Sequence, residues 1–527
     1  MSTRPFLILV FVTVLLTPCL TAHSLPKRPP SPEAQALQKA VTVAISQGSP
    51  TFEITAGDYY FNDSPFEITN ATSLVIGGSN SDTPPTLWFG PGFGVAIQYG
   101  QGVVFKNVII DYDPIPYVFG AVINATRISF TMKLHPSSLT FEEFIATYPP
   151  HDIWPPVGAF DPVSMDHLGS VCPWGQPAPA RRLSDGVYEL ACDGKYVNPG
   201  DVVAAPTRVG FTLTLTSCSN VTSINITIHA AGNMAITEFQ GDGPNTYDHV
   251  RLVPRAAWRP LASNADGFHS SGLRHGPQLL GVDMRNLFDD YFNVHNTFQL
   301  LVQQHGPSSA LIGDYQLFAG GDTVYGSERT LSRVQVGEQL SFYPVNTLLF
   351  PGLGTVTIAS ISLVTDPTLQ HLLGDAYEAT SAKAEDTPCS ACHAGLNACT
   401  SAQLYNITFT SPLPAQLSPT AFVNCDGISN VGAVITGCSF AGSASNLGRF
   451  KSSHGVISNN VFRNTLSQNL EISPLQNWLE GMLGIHDVLI ANNVFHGTAS
   501  SPVHTFGSVD VRAINNTYTP SLGRRPL

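Results

Sequence analysis

The sequence has few charged side chains. Asp, Glu, Lys and Arg make up 12% of its 527 residues, about half of the ~25% found in typical globular proteins. This scarcity excludes helical bundles and coiled coils, whose exposed faces depend on Lys, Glu and Arg. The 25 basic residues are scattered among 38 acidic ones, which argues against nucleic acid and anionic membrane surfaces as partners.

Long apolar runs are missing beyond the N-terminus. The run over residues 6–16 has 11 residues, which is too short to span a bilayer and has the length of a signal-peptide core. Arg4 precedes this run and small polar residues follow it. We therefore predict a signal peptide over residues 1–22 and a secreted chain with no membrane segment after cleavage, the alternative being an uncleaved anchor. Seven Asn-X-Ser/Thr sequons agree with secretion, and they begin at Asn62, Asn70, Asn124, Asn220, Asn225, Asn406 and Asn515.

Cysteine is scarce, with nine residues. Loss of the signal peptide removes Cys19 and leaves an even number, which predicts disulfides in an oxidising compartment. We predict a bridge between Cys172 and Cys192 and another within residues 389–399. The stretch Cys389-Ser-Ala-Cys392-His393 also matches the c-type haem attachment pattern, but the small polar residues around it favour a disulfide-tied loop over haem or a zinc knuckle. No cofactor and no metal are expected.

Short strands dominate what is present. Apolar residues make up 43% of the chain, enough to bury a large core. One amphipathic helix is predicted over residues 32–47, and alternating strands separated by Gly, Asn and Asp turns follow it. Toward the C-terminus the strands recur: Phe440 and Phe462 are 22 residues apart, and Phe495 and Tyr518 are 23 apart. This period predicts an all-β fold, a right-handed parallel β-helix capped by the N-terminal helix, with stacked turn asparagines forming a ladder.

The period is lost in two windows. Residues 117–212 and 299–405 carry other alternating runs, interrupted by Pro-rich or Cys-rich stretches, which predicts two small antiparallel β units inserted between coils. The cap and first coils then occupy residues 25–116, the coils that carry the site occupy 213–298, and the C-terminal coils occupy 406–520.

Ionisable residues crowd between positions 264 and 295. Asp266 and Asp289 are 23 residues apart, so equal phase on adjacent coils would stack them about 4.8 Å apart, with Asp290 one residue along. Close carboxylates raise each other's pKa and cost stability, whereas acid–base catalysis uses such a difference in pKa. We predict that Asp266, Asp289 and Asp290 are catalytic. A calcium site and a solvated turn are the alternatives.

Further polar residues surround these aspartates in the sequence. His269, Asn293 and His295 recur at matching offsets, and we predict that they bind substrate hydroxyls or orient the carboxylates. Arg274 and Glu238 are additional candidates for substrate binding.

Two segments carry a family resemblance. Asn264-Ala-Asp-Gly-Phe-His269, followed by Asp289-Asp-Tyr-Phe-Asn-Val-His295, resembles the signature of glycoside hydrolase family 110, the α-1,3-galactosidases. Residues 220–234 are also similar, and residues 478–481 resemble β-helix proteins of the wider group. The resemblance implies a right-handed parallel β-helix with small barrel insertions. It also implies inverting, metal-free hydrolysis of terminal α-1,3-linked galactose.

The resemblance assigns the chemistry to three aspartates, which match Asp266, Asp289 and Asp290 here. Tyr291 and Asn296 depart from the family, in which Ala and Gly are usual at these positions, so the reaction can be shared while the sugar differs. Inversion needs carboxyl groups about 6.5–9.5 Å apart. We expect the offset Asp290 to reach that distance, whereas stacked Asp266 and Asp289 would be closer to the retaining distance.

Two other functions compete with a glycosidase acting on a glycan. A polysaccharide lyase needs a Lys or Arg base, and only Arg274 and Arg285 are near in the sequence. A non-catalytic surface β-helix would bind glycan through its stacked asparagines and aromatics, and that binding would survive loss of all three aspartates.

Overall fold

A coil of three short parallel strands repeats along the chain in this computed structural model. The structure describes residues 28–90, 92–148, 157–172, 180–192, 197–314, 330–344, 352–369, 371–373, 403–415, 417, 421–463, 469–474, 480–481, 484–498 and 502–520. The predicted signal peptide (residues 1–22) and the predicted bridge within residues 389–399 lie outside them.

Equivalent strands of successive coils pair in parallel, which forms three ladders. The first ladder contains β1 (Thr51–Ile54), β4 (Val75–Gly78), β7 (Val104–Tyr112), β16 (Thr222–Ile228), β18 (Thr246–Asp248), β21 (Gln278–Leu280), β30 (Val434–Thr436), β33 (Val456–Ser458), β37 (Ile485–Ala491) and β40 (Ser508–Ile514). The second ladder shares the ends of β7 and β16 and adds β2 (Asp58–Asn62), β5 (Thr86–Phe89), β19 (Arg251–Leu252), β22 (Asp283–Leu287), β31 (Ser439–Ser443), β34 (Val461–Arg463), β38 (Val494–Thr498) and β41 (Thr517–Pro520).

The third ladder carries most of the residues of the candidate site. It contains β3 (Phe66–Thr69), β6 (Val95–Gln98), β15 (Leu213–Thr216), β17 (Ile236–Phe239), β20 (Phe268–Ser271), β23 (Phe292–Thr297), β32 (Gly448–Phe450), β35 (Leu470–Ile472) and β39 (Val503–Thr505). The short β36 (Glu480–Gly481) pairs antiparallel with the end of β23. These ladders confirm the predicted parallel β-helix.

Helix α1 (Pro32–Ser46) covers the N-terminal end of the coils. Ser31 caps it by accepting a hydrogen bond from the backbone N–H of Ala34 at 3.2 Å. The buried face includes Leu37 and Val41, which join the same apolar core as the first coils. The predicted capping helix is therefore confirmed, and it keeps the end of the core from water.

The inward residues stack from coil to coil. The Phe462 ring lies 5.0 Å from Phe440 on one side and 5.0 Å from Phe495 on the other. All three rings are fully buried, and burying each stabilises the fold by roughly 1.5–3 kcal/mol. The period seen in the sequence is thus the period of the core.

Paired asparagines make the turns between the first two ladders. The first of each pair has a left-handed backbone, which asparagine tolerates better than most residues; these are Asn459 (φ 57°), Asn492 (φ 56°) and Asn515 (φ 53°). The second of each pair points along the stack: Asn460 Nδ2 donates to Asn493 Oδ1 at 3.0 Å, and Asn493 Nδ2 donates to Asn516 Oδ1 at 3.0 Å. The predicted ladder is confirmed, and it satisfies amides that would otherwise be buried without partners.

Two antiparallel units interrupt the coils. The first pairs its strands in the order β11-β10-β14-β8-β9-β13-β12. Its elements are β8 (Tyr117–Ala125), β9 (Phe130–Leu134), α2 (Phe141–Thr147), β10 (Gly158–Phe160), β11 (His167–Ser170), β12 (Ala180–Ser184), β13 (Val187–Leu190) and β14 (Val202–Pro206). The second is a closed barrel of β24 (Gln299–Gly306), β25 (Ser309–Asp314), β26 (Gln339–Tyr343), β27 (Gly354–Leu363), β28 (Gln403–Phe409) and β29 (Phe422–Cys425).

The barrel extends beyond the boundary expected at residue 405. Its last two strands lie within the segment that the sequence pattern assigned to the C-terminal coils, and the coils resume only at β30. The reason is that strands with one buried face alternate in the same way in a barrel and in a coil.

One disulfide is present among the cysteines that the structure covers. It joins Cys172 and Cys192, as predicted. Cys218, Cys425 and Cys438 are free and buried, so the even cysteine count overstated the pairing. Burial raises the pKa of Cys218 and Cys438 to about 12, which keeps these thiols unreactive. In the part of the chain that is described, no helix has the length and apolarity needed to cross a membrane.

Candidate active site

Asp266 and Asp290 occupy equivalent positions on adjacent coils. Strands β20 and β23 pair Phe268 with Phe292, so counting back two residues sets Asp266 opposite Asp290, and Gly267 N donates to the Asp290 carbonyl at 2.9 Å. The predicted stacking of Asp266 on Asp289 is therefore wrong. The coil at this point is 24 residues long because turn length, not strand length, sets each coil.

The three predicted catalytic carboxylates do meet. One oxygen from each of Asp266, Asp289 and Asp290 lies within 4.8 Å of the others. The separation expected for Asp290 was longer, so that expectation is wrong as well. Asp266 and Asp290 are buried, at 5% and 2% exposure, whereas the Asp289 side chain is 19% exposed. We call these three residues the aspartate cluster.

Two arginines from distant segments flank the cluster. Arg208, which follows the last strand of the first insert, forms an ion pair with Asp289. Arg449, on β32, places its Nε 3.1 Å from Asp290 Oδ2. The other oxygen of Asp290 accepts a hydrogen bond from Asn446 N at 2.9 Å. Both oxygens of Asp290 and one of Asp289 are thus engaged by protein groups, which fits acid–base chemistry better than a calcium site.

The cluster holds carboxyl groups in different protonation states. Burial raises the pKa of Asp290 to about 7, against the opposing effect of Arg449. Burial also raises the pKa of Asp266, and the charge of Asp289 raises it further. The ion pair with Arg208 requires Asp289 in its carboxylate form. A protonated acid and an ionised base therefore coexist at mildly acidic to neutral pH.

A buried polar layer lies beside the cluster. Lys451 is fully buried and donates to Asn293 Oδ1 at 3.0 Å and to Glu480 Oε2 at 2.8 Å. Asn293 Nδ2 donates to Glu480 Oε1 at 3.1 Å. Burial by itself would raise the pKa of Glu480, but Lys451, His295 and Arg449 together lower it. Asn293, predicted to bind substrate, is engaged in this layer.

The sequence argument missed Arg208, Arg449, Lys451 and Glu480. Arg449 and Lys451 left one signal: they are charged residues at alternate positions of a strand in a chain that is poor in charge. The alternation places both on the same side of the third ladder, where Asn293 pairs with Arg449. For Arg208 and Glu480 the tertiary fold alone supplies the proximity.

His269 and His295 lie next to Asp266 instead of in an open groove. His269 Nδ1 is 2.9 Å from Asp266 Oδ2, and the Nε2 atoms of the two histidines are 2.9 Å apart. His269 is 1% exposed and His295 is fully buried. Orientation of a carboxylate, the second role predicted for them, agrees with this placement.

Glu238 faces the interior of the coil. It pairs with Ser270 in the ladder, and Ser270 pairs with the core residue Val294. Its Oε2 accepts hydrogen bonds from Asn245 Nδ2 and Tyr247 Oη, both at 3.0 Å. Because neighbouring residues of a strand face opposite sides, Glu238 lies on the other side of the sheet from His269.

Arg274 lies where the barrel meets the coils. It forms an ion pair with Glu338 of the barrel unit and donates to the carbonyl oxygen of Arg333 at 2.9 Å. Substrate binding by Arg274 and by Glu238 remains a prediction, and these contacts explain both residues through packing.

The two departures from the family pattern have structural roles. Tyr291 is buried inside the coil with its ring 5.0 Å from Phe440. Asn296 Nδ2 donates to Asn424 Oδ1 at 3.2 Å, which links β23 to β29 of the barrel. These residues thus fit the core and the barrel junction of this chain.

Comparison with known proteins gives loose structural matches. An endo-xylogalacturonan hydrolase from Aspergillus tubingensis is 8% identical with a TM-score of 0.33, over 92% of this chain and 89% of that one. A family 28 exopolygalacturonase from Yersinia enterocolitica is 9% identical with a TM-score of 0.30, over 93% and 73%. A surface protein and adhesin of Streptococcus pneumoniae is 9% identical with a TM-score of 0.28, over 93% and 94%.

No protein-family model matches the chain, and no curated protein does. The likeness to family 110 therefore remains one of sequence motifs. The structural overlaps are too loose to transfer an activity, so the chemistry of the site has to indicate the function.

Proposed function

We propose that this protein is a secreted glycoside hydrolase that removes a terminal α-linked galactose, or a related neutral sugar, from a glycan. The observation that carries the proposal is the aspartate cluster, which combines one carboxylate paired with Arg208 and two buried carboxyls with raised pKa values. Glycoside hydrolysis requires this combination of a proton donor and an ionised carboxylate.

The short oxygen separation suits a shared water. A water molecule hydrogen-bonded at about 2.8 Å to two carboxylate oxygens fits between atoms that are within 4.8 Å of one another. Two members of the cluster then activate that water as the base, and the third protonates the leaving glycosidic oxygen. Attack by this water on the face opposite the leaving group inverts the anomeric centre, as the family resemblance implies.

The charge balance favours a neutral sugar. Arg208, Arg449 and Lys451 each pair with a carboxylate of the protein, and Glu471 adds a further carboxylate 3.6 Å from Arg449 Nε. A uronate would bring another negative charge to basic groups that are already paired. This disfavours a polysaccharide lyase, which has to neutralise a substrate carboxylate.

Secretion has independent chemical support. The Cys172–Cys192 disulfide is of the kind that persists in oxidising compartments, which agrees with the signal peptide predicted over residues 1–22.

The test is a screen of nitrophenyl α-glycosides and galactose-terminated oligosaccharides. Proton NMR of the first product would show the β-anomer if the reaction inverts and the α-anomer if a carboxylate acts as nucleophile. The Asp289→Asn variant is the matched control and should lose turnover while remaining folded. Glycan binding without any turnover, unchanged when all three aspartates are replaced by Asn, would instead identify a non-catalytic binding protein.

The same substrates assign the roles within the cluster. Loss of the acid should spare glycosides with good leaving groups, because their departure needs no proton. Loss of a base residue should impair all substrates equally, and azide should restore part of the rate. Comparing the three Asp→Asn variants on nitrophenyl and natural leaving groups therefore separates acid from base.

A further inference from the structure

A chain of hydrogen bonds leads from the aspartate cluster into the protein interior. It runs from Asp266 Oδ2 to His269 Nδ1, from His269 Nε2 to His295 Nε2, and from His295 Nδ1 to the carbonyl oxygen of Asn296, each over 2.9 Å. The two imidazole rings meet edge to face with their centroids 4.8 Å apart. A direct contact between the ring nitrogens of two histidines beside a carboxylate exceeds what orienting a carboxylate needs, since one imidazole would be enough.

These bonds determine how many protons the chain holds. A carbonyl oxygen only accepts, so His295 Nδ1 carries a proton. The two Nε2 atoms share a second proton, and a third lies between Asp266 Oδ2 and His269 Nδ1. Three protons on one carboxylate and two imidazoles leave the chain without net charge, whichever side of each bond the protons occupy.

We propose that Asp266, His269 and His295 form a proton relay that ionises Asp266 while its proton stays inside the protein. The proton on Asp266 Oδ2 moves to His269 Nδ1 while the proton on His269 Nε2 moves to His295 Nε2. Asp266 becomes a carboxylate, His269 stays neutral, and His295 becomes an imidazolium. Every proton is accounted for, and no other reactant takes part.

The surroundings stabilise the ionised form of the relay. Glu480, on β36, interacts electrostatically with both imidazoles, and its partner Lys451 lies in the next coil along with Arg449. On the coils of the histidines themselves, Asp266 and Asp290 are the facing titratable groups. The carboxylates of Asp266 and Glu480 thus flank the imidazolium, which lowers the cost of burying it.

This proposal rests on the proposed hydrolase function for its consequence but not for its existence. In turnover, Asp266 is the residue that contacts the attacking water, and the two histidines are positioning residues that set its charge. The relay keeps Asp266 ionised at pH values where burial alone would keep it protonated, so activity extends to lower pH.

The kinetic test uses the His295→Gln variant. Glutamine keeps an amide donor near the position of Nε2 but cannot accept a proton and pass it on. We expect the acidic limb of kcat/KM to move up by at least one pH unit, with KM at the optimum little changed. His486→Gln is the matched control, because His486 hydrogen-bonds Ser453 and the Gly484 carbonyl oxygen instead. An acidic limb that stays in place in His295→Gln would overturn the relay.

A second test needs neither activity nor a variant that folds well. Wild-type protein with ¹⁵N-labelled histidine should show two imidazoles that titrate as a coupled pair and a strongly downfield N–H···N proton. That proton should persist in His486→Gln and disappear in His295→Gln. Two histidines that titrate independently would refute the relay. A coupled pair in a protein that hydrolyses no glycoside would refute the proposed function while supporting the relay.

Discussion

Glu238 and Asp290 are two buried carboxyl groups of the same ladder, and burial raises the pKa of each to about 7. Their settings differ. Glu238 is sealed inside the coil by Asn245 and Tyr247, whereas Asp290 meets two further carboxylates and Arg449 beside the half-exposed Asp289. A raised pKa therefore records burial, and only the company of other charged groups near solvent indicates a catalytic site.

The largest expected effect separates these two carboxyls by activity. Asp290→Asn should lower kcat by roughly 10²–10⁴, the usual contribution of acid–base assistance, with an unchanged or higher melting temperature because like-charge repulsion is relieved. Glu238→Gln, of the same chemical type, should keep kcat near the wild-type value. Equal losses of kcat in both variants would mean that the interior carboxyl also serves the reaction.

The pH profile should follow the cluster. In the wild type, kcat/KM should fall as pH rises above about 7, because Asp290 loses its proton there. In Glu238→Gln the alkaline limb should be the same. Steady-state kinetics from pH 4 to 9 on one glycoside measures both, and an alkaline limb that moves with Glu238→Gln would contradict the assignment to the cluster.

Removing one partner of the buried ion pair beside the cluster should cost more stability than removing both. Lys451→Met leaves Glu480 charged and buried without its closest cation, which should destabilise the fold by about 3–5 kcal/mol. The double variant Lys451→Met with Glu480→Gln should recover part of that loss. Urea unfolding of the two single variants and the double variant gives the coupling energy, and simple additivity would contradict the pairing.

Glu238 should make stability depend on pH. Its pKa is about 7 in the folded state against 4.5 for the free side chain, so the native state binds more protons between these values. The free energy of unfolding then decreases as pH rises through this window, by on the order of 3 kcal/mol in total. Glu238→Gln should remove that part of the dependence. Parallel stability curves for wild type and variant from pH 4 to 8 would contradict a buried Glu238.

The smallest expected effect lies away from both carboxyls. Asn493→Ala removes the middle amide of the ladder and should cost about 1–3 kcal/mol, without changing the pH dependence of activity. Thermal unfolding measures the loss, and Asn492→Gly is a control that keeps the ladder amide while changing only the left-handed turn residue.

The sequence predicted well what repeats locally. The capping helix follows from its apolar spacing, and the coils follow from a strand period that the Phe440, Phe462 and Phe495 stack makes visible. The Asn-Asp-Gly turns likewise carry their backbone preferences in their own residue types. Prediction succeeded there because each feature depends on neighbours within one coil.

The candidate site was predicted only in part. The aspartates were recognised because three carboxylates in one short stretch are unusual, but the wrong partner was assigned to Asp266. One residue more in a turn is enough to change the phase, and turn length cannot be read from a period of 22–23 in other coils. Glu238 was selected as a charged residue in an apolar strand, although the alternation of that strand directs it inward.

By itself the sequence determined the class of fold, the number of carboxylates available and their nearness along one coil. Tertiary structure decided the rest, because it brings together residues far apart in the chain: Arg208 from the end of one insert, Arg449 and Lys451 from beyond the other, and Glu480 on a strand that pairs against β23. These groups determine which carboxyl is ionised, since the energy of a buried charge depends on what surrounds it in space and not on its neighbours in sequence.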